Sequence, residues 1–133
     1  GAPLSERQGI QWMLVENEID IRVMKWLTFD AACKADRGDS FRMESAIAKL
    51  QCSELGGKVV DRSMQIHGGL GYSRHKPFEH IYRHHRRYRI TEGAEEIQMR
   101  KVGAWLFGYL GPRRGNIPDP TPRSVAAPLK GEN

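Results

Sequence analysis

The sequence predicts an all-α fold, and three observations carry that expectation. Apolar residues recur at helical spacing over two segments of about 30 residues, as on one face of a helix with 3.6 residues per turn. No segment alternates polar and apolar residues in the way a half-buried strand requires. Glycine, proline and short polar runs punctuate the chain between the periodic segments.

The first helix is expected from about Ser5 to Ala35. Ser5 with Gln8 three residues later fits a capping box, with Pro3 just upstream. Ile10, Met13, Leu14, Ile21, Met24, Leu27 and Ala31 form its apolar stripe. The run KADRGDS, Lys34 to Ser40, is polar, contains Gly38 and should end it. A second helix is expected from Asp39 or Ser40 to about His67, with a stripe through Met43, Ala46, Ile47, Leu50, Leu55, Val59, Val60 and Met64. Gly56 and Gly57 inside it each cost about 1 kcal/mol relative to alanine. Close approach of a neighbouring helix would account for them.

Gly68, Gly69 and Gly71 then break the pattern. Pro77 suits the first turn of a short third helix, Phe78 to about Tyr88. Thr91, Glu92 and Gly93 interrupt again before a final helix, Ala94 to Leu110, whose expected apolar side is Ile97, Val102, Trp105, Leu106 and Tyr109. Residues 111–133 hold five of the seven prolines and read as an irregular tail following a helical domain, residues 1–110. Three substantial helices and one short one make an incomplete bundle. Helices this long leave apolar surface for another helix or another subunit.

Composition excludes several classes. The net charge is +5, and 39% of residues are hydrophobic against 28% charged, which fits a folded domain. Apolar runs fall far short of the roughly 20 residues of a membrane span. No basic and apolar leader opens the chain. Cys33 and Cys52 are too few for a disulfide framework, contain no CxxC pair for zinc, and point to a reducing compartment. The charge excess is local. Ser73 to Thr91 holds Arg74, Lys76, Arg83, Arg86, Arg87 and Arg89 against one acid, Glu79. The histidines are close by, but His80 and His84 at i, i+4 have only Glu79 as a nearby acidic ligand, so no metal site is expected.

Three motifs admit a functional reading beside a plain one. QIHGG, Gln65 to Gly69, is a glycine helix stop, or a place where an amide and backbone N–H groups meet a polar cofactor. TEGAEEIQ, Thr91 to Gln98, is an acidic helix start, or it presents Glu92 as a base whose pKa an apolar cleft would raise. RHHRRYR, Arg83 to Arg89, is a solvated or ion-paired face, or it binds phosphate or nucleic acid.

Taken in order, the string QIHGGLGYSRHKPFEHIYRHHRRYRITEGAEEIQ, Gln65 to Gln98, resembles the signature of the acyl-CoA dehydrogenases. GAPLSERQ, Gly1 to Gln8, is similar to the stretch that begins at the glycine of that family's R-x-x-F-G segment. The resemblance covers about Gly1 to Tyr109. It implies the C-terminal helical bundle of a much longer subunit, from the bundle's second long helix onward, without the N-terminal helical and middle β domains. It further implies α,β-desaturation of an acyl-CoA thioester, with FAD as hydride acceptor and Glu92 as the base that takes the α-proton. Glu92 and Gly93 would meet the substrate, the thioester carbonyl accepting a hydrogen bond from the backbone N–H of Glu92.

Gln65, Gly68 and Gly69 match the family's contact with the FAD of a neighbouring subunit. Leu4, Gln8, Ala94 and Glu96 match further FAD contacts. The resemblance also implies a homodimer or homotetramer through the bundle, an acceptor of the electron-transfer flavoprotein type, and a cytoplasmic or mitochondrial-matrix setting. Nucleic acid is not an expected partner. Two departures stand out. Ala94 replaces the family's Thr or Ser, and Arg83-His84 replaces its Arg-Asp pair. The competing reading is a helical interaction or subunit module without catalysis, with a basic nucleic-acid-binding module as a less favoured alternative. The isolated chain is expected to be inactive, because the domain holding much of the flavin and substrate is missing.

Overall fold

The computed structural model describes residues 1–108, and all four expected helices are present. They are α1 (Gln8–Asp36), α2 (Arg42–Tyr72), α3 (Phe78–Arg86) and α4 (Glu95–Leu106). No strand occurs among the described residues. The expected tail, 111–133, lies outside them, as do Tyr109 and Leu110.

The expected capping box does not form. Ser5 sits in a 3-10 turn, Leu4–Glu6, and α1 starts at Gln8 with Arg7 at its N-cap and no side-chain cap. Ser5 instead offers its carbonyl to Gln11 Nε2 at 2.9 Å. With α1 starting at Gln8, Ser5 lies two residues before the N-cap and Gln8 is the first helical residue, so the pair is out of register for a capping box.

At the other end the polar run stops α1 as expected. Gly38 adopts φ 74°, its N–H bonds the Ala35 carbonyl at 3.0 Å, and Asp39 N–H bonds the Lys34 carbonyl at 2.9 Å. These are the paired bonds of a Schellman stop, which needs a left-handed residue that glycine adopts without strain. The reversal sends α2 back along α1. Its regular part runs to His67, the expected limit, and Gly68 (φ 55°, ψ −142°) kinks it before one further turn. That turn folds tightly on itself, since a Cβ on Gly71 would lie 2.5 Å from the Met64 carbonyl oxygen.

α2 is the spine, with α1 packed along it and α3 and α4 also docked against it. The α1–α2 seam is polar at both ends. Arg62 bonds Glu16 at 2.8 Å, Asp20 at 2.7 Å and Asn17 Oδ1 at 3.2 Å, and Lys34 bonds Glu44. Burial pushes the Glu44 carboxyl up, but its hydrogen bonds to Lys34 and to a backbone N–H hold it below the usual range. These pairs fix the antiparallel register, a task apolar contact alone does loosely.

The α1 stripe points inward through Ile10, Met13, Asn17, Ile21, Met24, Leu27 and Ala31, while Leu14 falls outside it. α1 also carries a second apolar face. Trp12 is 62% exposed and Trp26 73%, and Val15, Ile19, Val23 and Phe29 are exposed between and beside them. Ala46 is the buried hydrophobic residue of the described core, and no large side chain is fully buried. A helix apolar on two sides is the signature of a buried element. The expectation of uncovered apolar surface is therefore met within residues 1–108.

α4 is shorter than expected. It ends at Leu106, with Gly108 at φ 71° just beyond. Its inward residues are Gln98, Val102 and Trp105, whereas Ile97 and Leu106 are exposed. α3 also stops early, and Arg87–Arg89 tighten into a 3-10 turn.

Candidate functional site

The expected cofactor and substrate residues fall into two groups, set far apart along α2. The first surrounds the kink at Gly68. Gln65, Gly68 and Gly69 are exposed and line one hollow of about 380 Å³ with Asp61, Met64 and Tyr72. Nothing lies within 4 Å of where a Cβ on Gly68 or Gly69 would stand, so a flat ligand can lie directly on the backbone there. The α1–α2 register sets Gln8 level with this end of α2, and Leu4 precedes it, 59% exposed. A primary amide and uncovered backbone suit the polar atoms of a nucleotide, so the donor set fits the adenylate end of FAD.

A second hollow of about 340 Å³ continues along the α2–α3 groove, sharing Asp61 with the first. Arg86 and Arg89 line it opposite Gly57 and Lys58. The basic segment thus faces a groove as well as solvent. Arg89 is ion-paired with Glu95. Gly56, one residue before, lies under α3. A Cβ there would overlap the His85 ring, whose Nε2 is buried without a hydrogen-bond partner among the described residues. Gly57 has open space around it. Only the first glycine of the pair serves the expected close approach.

The second group is the turn before α4. Glu92 is the described non-glycine residue with positive φ, at 57°, and Gly93 follows at 96°. A left-handed L-residue costs roughly 1–2 kcal/mol and is held only where its surroundings demand it. Both carbonyls of this turn point at polar hydrogens. Lys49 Nζ donates to the Gly93 oxygen at 2.7 Å. Gln98 Nε2 donates to the Glu92 oxygen at 3.2 Å and the Gly93 oxygen at 3.3 Å. The positive φ favours glycine at 93, and a Cβ there would lie 2.6 Å from that same amide nitrogen and push it off its two carbonyls.

Arg89 reaches across the turn and grips Glu95 with two parallel hydrogen bonds, one of 2.7 Å. The Arg89 guanidinium holds the Glu95 carboxyl below its ordinary value. Ala94 is the N-cap of α4, with no side chain to cap it, and Glu96 is exposed in the first turn.

The Glu92 side chain is exposed, and the described residues do not form the apolar cleft expected around it. The Glu92 turn stands apart from the Gln65–Gly69 hollow. Lys49, which holds the turn, lies 19 residues before Gly68 on α2, roughly 28 Å along a helix. Two residues of the site were missed from sequence. Lys49 belongs to no motif, and Gln98 closes the TEGAEEIQ motif without anything in sequence to mark it as a partner for the Glu92 and Gly93 carbonyls.

Among the described residues no cluster of histidine, cysteine or carboxylate could hold a metal ion, and no helix is long and apolar enough to cross a membrane.

Residues 1–107 match the model of the acyl-CoA dehydrogenase C-terminal domain. The chain is 39% identical over 107 residues to the mitochondrial short-chain specific acyl-CoA dehydrogenase of Bos taurus, covering 80% of this chain and 26% of that protein. It is 33% identical over 108 residues to the 3-sulfinopropanoyl-CoA desulfinase of Paraburkholderia xenovorans, covering 81% of this chain and 28% of that protein. The solved acyl-CoA dehydrogenase of Slackia heliotrinireducens superposes with a TM-score of 0.76 at 26% identity, over 80% of this chain and 28% of that one. The chain therefore spans little more than a quarter of the relatives it matches.

Proposed function

Since the chain belongs to the acyl-CoA dehydrogenase family, matching its C-terminal domain over residues 1–107, we propose that it supplies the base and part of the flavin contact of an acyl-CoA desaturating enzyme. The observation that carries this reading is the turn at Glu92 and Gly93, two successive left-handed residues with both carbonyls tied inward and the carboxylate left facing out. That is how a base presented to a substrate from outside the chain would be mounted.

In this reading the Glu92 carboxylate takes the α-proton of the acyl thioester and holds it on an Oε atom. The backbone N–H of Glu92 donates to the thioester carbonyl, which makes the α-C–H more acidic as charge moves onto that oxygen. When bound, FAD supplies the acceptor for the β-hydrogen as hydride. Gly93, having no side chain, leaves the approach to that carbonyl clear.

Gln65, Gly68 and Gly69 bind a flavin nucleotide at the far end of the bundle. The roughly 28 Å of α2 between Lys49, which holds the Glu92 turn, and Gly68 favours the two groups serving cofactors of different subunits, as in a homodimer or homotetramer. Leu4, Gln8, Ala94 and Glu96 stand at the edges of these two regions as lesser contacts. The exposed tryptophans of α1 support burial against further protein. With Glu92 exposed and no cleft wall around it among the described residues, the chain alone does not turn over substrate. Electrons leave through an acceptor of the electron-transfer flavoprotein type.

The test is Glu92→Gln in a protein that carries this segment and a bound flavin. Bleaching of the flavin by acyl-CoA should fall by about 10²–10⁴, the usual worth of a positioned general base. Unchanged bleaching would reject Glu92 as the base. The desulfinase relative makes the acyl substituent the next question, and product analysis with saturated acyl-CoA thioesters answers it.

A further inference from the structure

The Glu92 turn is held from two directions by groups that play no part in the chemistry proposed above. Lys49 belongs to α2 and Gln98 to α4, and they lie 44 and five residues from Gly93 in sequence. Gln98 is 3% exposed, an unusual burial for a primary amide, and its Nε2 meets two successive carbonyls. Lys49 Nζ, 2.7 Å from the Gly93 oxygen, adds a charge-assisted bond. With these partners removed, the Arg89–Glu95 pair still spans the turn, but the carbonyls of residues 92 and 93 lose the side-chain donors that hold them, and residue 92 can relax from φ 57° toward the extended backbone an L-residue favours. That rotation would change the direction of the Glu92 carboxylate relative to its own backbone N–H.

We infer that Lys49 and Gln98 are positioning residues for Glu92, a carbonyl clamp that fixes its left-handed backbone so that its carboxylate and its N–H face one substrate together. The inference rests on Glu92 being the base. Its geometry can be tested apart from that reading. Lys49 keeps the turn attached to α2, and Gln98 keeps it attached to the helix it starts. A single cation on α2 therefore couples the spine of the bundle to the orientation of the base. The same Lys49 charge also helps hold Glu95 ionised beside Arg89, so the clamp and the Arg89–Glu95 pair support one turn from opposite sides.

The experiment uses the 133-residue chain and its Lys49→Met, Lys49→Arg and Gln98→Leu variants, compared by NMR. The readouts are the ¹³Cα and ¹³Cβ shifts of Glu92, which report its backbone conformation, and amide exchange at residues 92–94. Lys49→Met and Gln98→Leu should move the Glu92 shifts toward extended values and speed local exchange at least about tenfold. Exchange in the middle of α2 should stay unchanged, and Lys49→Arg should restore the native shifts. In a flavin-bearing protein that carries the segment, Lys49→Met should lower kcat about tenfold with little change in KM, and Lys49→Arg should recover most of it. Native Glu92 shifts in both disrupting variants, or exchange that rises equally along the whole chain, would overturn the clamp. An inert Glu92→Gln with displaced Glu92 shifts in Lys49→Met would overturn the base and leave the clamp standing.

Discussion

Gly56 lies beneath the imidazole of His85, with no room between them for a single carbon atom. This contact joins the middle of α2 to the end of α3, and so to the 3-10 turn that leads to Glu92. The neighbouring Gly57 faces open space. Gly56→Ala should destabilise the chain by about 1–3 kcal/mol through overpacking, whereas Gly57→Ala should stabilise it by up to about 1 kcal/mol through helix propensity. Thermal melts of the two variants followed by circular dichroism check this. Shifts of the same sign would count against the packing described.

Ala94 caps α4 with extended dihedrals (φ −55°, ψ 162°) but no hydroxyl. A serine or threonine there can accept from the first free N–H groups of the helix without moving the backbone. Ala94→Ser should raise stability by about 1 kcal/mol, read as a higher urea midpoint at unchanged slope.

Acid should weaken the chain through Glu95 and Glu44, whose carboxyls are held below the ordinary 4.5 in the fold. A depressed folded pKa means the unfolded chain takes up the proton first. The stabilisation is present above the unfolded value and is lost as pH falls through the folded one. Glu95→Gln should therefore lower stability near neutral pH, and the difference from the parent should hold down to about pH 5 and close only as pH falls below the ordinary 4.5 and through the folded value. A gap that persists in acid would contradict the Arg89 pairing. Urea melts across that pH range decide it.

The outer face of α1, from Trp12 to Phe29, should drive self-association of the chain, since its tryptophans have no cover among the described residues. Sedimentation velocity should show species that grow with concentration, and Trp12→Ser with Trp26→Ser should shift them toward monomer. A parent chain that stays monomeric at high concentration would remove this face as an interface.

Much of the fold was legible because helices are written locally. The stripe from Ile10 to Ala31, the polar run around Gly38 and the proline before Phe78 each specify structure within a few residues of themselves, and each helix was found where expected. Starts were less legible. Ser5 and Gln8 satisfy the capping pattern, yet the chain takes a 3-10 turn first and begins α1 at Gln8. The final helix was overextended because an apolar run continues past Leu106, while Gly108 in the left-handed region ends it.

The amino-acid order by itself determined that the chain is helical, that its bundle leaves apolar surface uncovered, and which family its motifs resemble. Those properties follow from periodicity and from short motifs. Tertiary structure alone decided which of two adjacent glycines receives His85, that Lys49 reaches the Gly93 carbonyl, and that the Glu92 turn stands far along α2 from the Gly68 kink. Each of these depends on how one helix is rotated and set against another. That setting comes from packing and from pairs such as Arg62 with Asp20, whose partners lie 42 residues apart and carry no mark of each other in sequence.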